Sequence, residues 1–261
     1  MIPTGTFIFM VLDLILGFAV PICLAWWLVK KYNVRLSTIL IGAATFVVFA
    51  LVLEAFVHRI VLNSPAGETI QGKTLYYALY GGLMAGLFEE TGRFLSMKFL
   101  LKKEPTTVMP GIAYGAGHGG VEMLILFGFT MISNLTMSVM VNAGQTETIL
   151  AQAPAEAQEQ LQAAIAQLTD LRAGGLLLGL WERISALILQ FSLSVLVWAA
   201  VRKGGKWLWL FPAAILLHAG IDAQAVILSK STGMLALEAL IFAESIAVAG
   251  FAYMVSRRIS S

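Results

Sequence analysis

Charge is scarce in this 261-residue sequence: Asp, Glu, Lys and Arg make up 12% of it, about half of what a soluble domain carries. That shortage excludes an ordinary solvated surface. Cysteine is nearly absent, and the single Cys23 excludes an intrachain disulfide and a cysteine-built metal centre. A net charge of +2 leaves no basic excess, so no nucleic-acid partner is expected. Alternation over ~10-residue segments is missing as well, which argues against an outer-membrane barrel. What is abundant is apolar. Hydrophobic residues make up 59% of the chain and its mean hydropathy is +0.84. Several apolar runs reach the ~20 residues needed to cross a bilayer. The sequence predicts an all-α, polytopic transmembrane helix bundle with lipid as its surroundings.

About seven spans are expected, over Thr6–Val29, Leu36–Leu62, Leu75–Leu101, Val108–Met137, Gly174–Val201, Trp207–Leu228 and Leu235–Val255. One set of loops and span ends holds Lys30, Lys31, Arg35, Lys102, Lys103, Arg202, Lys203, Lys206, Arg257 and Arg258, while the other holds Lys73, Arg172 and Lys230. The positive-inside rule then puts the N-terminus outside and the C-terminus in the cytoplasm. Residues 1–261 read as a single membrane domain. Within it, 142–173 is an extracytoplasmic insertion, rich in Gln, Ala and Glu. Leu161, Ile165, Leu168 and Leu171 recur there at helical spacing, and Pro154 suits a helix start, so one amphipathic helix is expected.

Against this apolar background the stretch GLFEETGRF (Gly86–Phe94) stands out, because it places Glu89, Glu90 and Arg93 inside a span. Each intramembrane charge costs about 2.5–3.5 kcal/mol on insertion scales, so such groups pair, face a protein interior, or do chemistry. Glu90 lies 12 residues before Lys102, His118 lies 10 after Val108, and His218 lies 11 after Trp207. At 1.5 Å per residue all three fall roughly 15–18 Å from the cytoplasmic boundary, near the midplane. Helical spacing pairs Arg93 with Glu89 (i,i+4) and with Glu90 (i,i+3). It also puts Glu122 beside His118 and Asp222 beside His218, where a carboxylate can fix an imidazole tautomer. Glu244 and Gln190 fall at the same level. Glu54, His58 and Arg59, with Glu182 and Arg183, read as a separate structural ionic cluster nearer the outer face.

Carboxylates and imidazoles at one depth suit hydrolysis by an activated water. Two routes fit the residue types: zinc held by His118, His218 and Glu90 with an open position, or a metal-independent Glu/His pair acting on water directly. Three stretches in order then carry a resemblance. Glu89-Glu90-Thr91-Gly92-Arg93 is similar to an EExxR motif, Tyr114–His118 to an aromatic-xxx-His motif, and His218–Asp222 to HxxxD. Together with GHGGVE (Gly117–Glu122) they resemble the YhfC family of bacterial membrane proteins. That family is grouped with the CPBP/ABI (CAAX-protease-like) and PrsW intramembrane proteases. The resemblance implies a multi-pass protein of the bacterial plasma membrane that acts as an intramembrane endopeptidase on a peptide or membrane-protein substrate. Glu89, Glu90, His118, His218 and Asp222 would be its catalytic residues, with Arg93, Tyr114, Glu122, Gln190 and Glu244 in support. It does not decide between Glu89 and Glu90: family analogy favours the first, while Arg93 pairs by spacing with either. Buried Glu, His and Asp also suit a non-catalytic scaffold or immunity-type protein, or an ion-coupled transporter, although no inverted repeat is visible.

Overall fold

A computed structural model describes residues 1–259, apart from the side chain of Glu156; positions 260 and 261 of the expected single domain lie outside the described residues. The described residues are 86% helical, with no strand among them. Its long helices are α1 (Thr4–Tyr32), α2 (Leu36–Leu62), α3 (Thr74–Phe99), α4 (Met109–Asn142), α5 (Ala173–Lys203), α6 (Gly205–Leu228) and α7 (Met234–Ser256). All but α3 are long and apolar enough to cross a membrane. Helix α3 has 26 residues but carries Glu89, Glu90, Arg93 and Lys98. Helices are the form such sequences must take in lipid, where each backbone N–H and C=O has to be bonded within its own segment. Burial runs opposite to a soluble protein: Leu40, Ile60, Leu216 and Leu235 are exposed while Glu90, Arg93 and His118 are buried. This is a multi-pass membrane protein.

Two of these helices change pitch. Residues Val47–Glu54 of α2 and Met123–Phe129 of α4 are wound as π-helix. Such turns are rare and concentrate at functional sites.

The chain forms two compact units: residues 1–20 with 123–183, and residues 21–122 with 184 onward. In the first, Gly17 of α1 faces Gly128 of α4 closely enough that an added Cβ would meet its Cα at 2.9 Å. The insertion belongs to this unit. It carries two helices, Thr146–Gln152 and Ala155–Asp170, where one was expected, and Pro154 immediately precedes the second. Ile165 and Leu168 are buried and Leu161 is half-buried, so the apolar stripe does face inward.

The second unit is built on close backbone approach. Small residues on α4 let two helices close in on it. A Cβ on Gly117 would lie 1.8 Å from the Ile39 carbonyl oxygen of α2, and one on Gly42 of α2 would lie 2.2 Å from the Tyr114 carbonyl. On another side of α4, Gly115 and Gly119 press against Phe191 and Gln190 of α5. Gly82 and Gly86 of α3 similarly meet the Ala219 and Ile215 carbonyls of α6. A core of Met97, Tyr114, Leu193, Leu196, Trp198, Ala214 and Val248 fills the remaining space. The Trp198 indole N–H donates to the Thr107 carbonyl at 2.7 Å. Because Gly117 meets backbone rather than a flexible side chain, Gly117→Ala should destabilise by at least the ~1–3 kcal/mol typical of overpacking. Thermal unfolding in detergent checks this; an unchanged midpoint would mean that the α2–α4 contact is looser than described.

Candidate functional site

Four helices of the second unit deliver the charged and polar residues. Helix α3 supplies Glu89, Glu90 and Arg93, α4 supplies Tyr114, His118 and Glu122, α5 supplies Gln190, and α6 supplies His218 and Asp222. The glycines described above bring these helices near enough for direct contact.

Two carboxylate–imidazole pairs result. His118 Nε2 lies 2.8 Å from Glu89 Oε2, and His218 Nδ1 lies 2.9 Å from Glu90 Oε1. Arg93 stands beside both carboxylates, 3.6 Å from Glu89 and 3.4 Å from Glu90. With no exposed surface of its own, Arg93 is the cation that makes two adjacent buried carboxylates tolerable. The far nitrogen of the His218 ring, Nε2, is 3.5 Å from Asp222 Oδ2, whose side chain is 40% exposed.

Gln190 ties the pairs together. Its amide nitrogen donates to Glu122 at 2.6 Å and to Glu89 at 3.2 Å, while its side-chain and backbone oxygens accept from Arg93. Tyr114 stacks on His118 at 6.1 Å between centroids and shares a 2.9 Å hydroxyl contact with Ser96. Phe46 sits edge-on to the His118 ring at 5.2 Å. Glu90 Oε2, Arg93 Nε and His118 Nδ1 are buried without a hydrogen-bond partner among the described residues.

Of the residues expected from the sequence, nine therefore share one network. The tenth, Glu244 on α7, accepts a hydrogen bond from Gln224 of α6 at 2.8 Å instead of joining the paired histidines. Ser96 was missed, and no sequence signal marked it. Glu54 and His58 were assigned to an outer structural cluster. Here His58 Nε2 lies 3.1 Å from Glu54 Oε1, and its Nδ1 lies 2.9 Å from the Tyr80 hydroxyl. The Glu-xxx-His spacing was visible in the sequence; the π-turns that aim Glu54 inward were not. Glu182 pairs with its neighbour Arg183.

The donor set can be tested against a metal. Among the described residues no three His, Cys, Asp or Glu side chains converge to hold one. His118 Nε2 is directed at one glutamate, His218 Nδ1 at another, and the Arg93 cation lies alongside both carboxylates. In this arrangement His118, His218 and Glu90 do not fit as a three-ligand set.

Fold and site together define a multi-pass helical membrane protein with two glutamate–histidine pairs buried among its helices. The comparisons with known proteins agree with that class. Residues 16–246 match the family described as YhfC intramembrane metalloprotease, and the chain belongs to the YhfC family. It is 38% identical over 232 residues, 88% of each chain, to the "Uncharacterized membrane protein YhfC" of Bacillus subtilis (strain 168). No solved structure matches.

Proposed function

We infer that this protein is an intramembrane endopeptidase that cuts a peptide or membrane-protein substrate with a water activated by Glu89. The observation that carries this reading is the 2.8 Å Glu89–His118 pair at the meeting point of α3, α4, α5 and α6. The family description, which names a metalloprotease, supports the same class of reaction. So does the motif resemblance to the CPBP/ABI and PrsW proteases. Helix α3 then counts as a seventh span, with the N-terminus outside and the C-terminus cytoplasmic.

The chemistry follows from the pairing. Glu89 takes a proton from water as the water oxygen bonds to the scissile carbonyl carbon. His118 and Gln190 hold that carboxylate in place. Held between the Glu90 and Asp222 carboxylates, His218 acts as the imidazolium: its Nδ1–H donates to Glu90, and its Nε2–H, turned toward Asp222 and the substrate, donates to the developing oxyanion. Glu89 then returns its proton to the amine nitrogen as the C–N bond breaks. A metal would supply Lewis acidity to the carbonyl, but the side chains do not converge on one, and no step here depends on it.

One observation favours a second reading. Glu89 is already contacted by Arg93, His118 and Gln190, and a carboxylate so bonded can serve to fix helices in a non-catalytic scaffold. Purified protein in liposomes separates the two when it is offered transmembrane peptides and new termini are read by mass spectrometry. His118→Ala and His218→Ala should each lower cleavage by about 10²–10⁴-fold while the protein stays folded. A scaffold would cut nothing and would keep its binding partner in both variants.

A further inference from the structure

The chain has three histidines, and each is paired with a glutamate. Two of these pairs form the site above. The third, Glu54–His58, takes no part in the chemistry described so far.

It is organised as a row. His58 Nδ1 lies 2.9 Å from the Tyr80 hydroxyl of α3, and its Nε2 lies 3.1 Å from Glu54 Oε1. The two rings meet edge-on, 5.3 Å apart. Glu54 is buried, whereas the His58 side chain is 30% exposed, so the row runs from the interior outward. The packing of α2 on α3 fixes where its inner end lies. Tyr80 stands opposite His58, and further along the pair Gly92 packs against Phe49. Glu54 therefore falls level with the turn of α3 that leads into Glu89. Phe49 and Glu54 are five residues apart and can both face α3 because the turns between them are π-helical. In an α-helix they would point well away from each other.

We propose that Glu54, His58 and Tyr80 form a proton relay joining the buried site to solvent. The relay rests on the hydrolase reading above. An imidazole is the side chain that accepts a proton on one nitrogen while releasing one from the other. Hydrolysis creates a carboxylic acid among acidic groups in a membrane interior, where its proton has no bulk water to enter. That acid ionises, and its proton crosses through a bridging water to Glu54. His58 takes it at Nε2 and releases the Nδ1 proton to the Tyr80 oxygen, as the Tyr80 hydroxyl proton passes to solvent. The peptide carboxylate leaves negatively charged, and one proton has moved from site to bulk.

The test is chemical rescue with the full-length protein in liposomes and a cleavable transmembrane peptide. His58→Ala should lower kcat by about tenfold or more without changing KM, and added imidazole should restore most of it. Pyrrole, of similar shape but unable to relay protons, should not. Tyr80→Phe, which removes one oxygen and keeps the packing, should lower kcat severalfold. Parental rates in both variants, equal rescue by pyrrole, or no rescue together with an unaffected Tyr80→Phe variant would overturn the relay. If the parent and Glu89→Gln cleave alike, the hydrolase reading falls instead, and the relay with it.

Discussion

Glu89→Gln is expected to lower peptide cleavage by about 10²–10⁴-fold, as loss of a general base does, with a smaller loss of thermal stability than Glu90→Gln. Glu90→Gln should show the reverse balance, a smaller loss of rate and a larger loss of stability. The two glutamates are adjacent in sequence but differ in surroundings. Glu89 keeps 7% of its surface exposed, and Glu90 keeps none. Glu90 lies between Arg93 Nη1 at 3.4 Å and His218 Nδ1 at 2.9 Å, where its charge holds both. Its amide replacement keeps the shape and loses the charge, so Arg93 is left with one carboxylate. Kinetics in liposomes and unfolding in detergent, measured on the same two variants, decide the assignment. A greater rate loss in Glu90→Gln would exchange the roles of the two residues.

Arg93→Met should produce the largest loss of stability of any single change in the site. Breaking a buried ion pair from one side costs about 3–5 kcal/mol, and here two carboxylates lose their cation together. Gln190 would also lose the donor to its side-chain and backbone oxygens. Arg93→Lys should recover only part of this, because a point charge cannot reproduce the forked contacts with Glu89, Glu90 and Gln190. Adding Glu90→Gln to Arg93→Met should be less harmful than the sum of the single changes, since it removes one of the uncompensated charges. Denaturation midpoints of the four proteins check the coupling. Additive losses would mean that Arg93 and Glu90 do not interact as described.

Much of this arrangement was legible in the sequence because helices in lipid obey simple counting. A rise of 1.5 Å per residue put Glu90, His118 and His218 at one depth, and the same residues now lie in two linked pairs. The glycines around His118 could be read as sites of close approach, although which helix each one meets could not. Counting fails where the pitch changes. Residues Val47–Glu54 are wound as π-helix, so α-helical spacing does not say which face of α2 carries Glu54. Gln190 was expected in a supporting role at the level of the site, but its contacts were illegible for another reason. An amide that bridges Glu89, Glu122 and Arg93 depends on three helices meeting, and one helix's sequence carries no trace of that. Proline marked the start of the Ala155–Asp170 helix correctly, but nothing in the preceding residues distinguished the short helix Thr146–Gln152 from its continuation.

The central claim is that Glu89 activates water to cut a peptide bond, and the isotope of the attacking oxygen tests it most directly. Cleavage of a transmembrane peptide by the reconstituted protein in ¹⁸O-water should place one heavy oxygen in the new C-terminal carboxylate of each product. Glu89→Gln should form no such product. Heavy-oxygen product from Glu89→Gln at the parental rate, or a parent protein that forms none, would contradict the account.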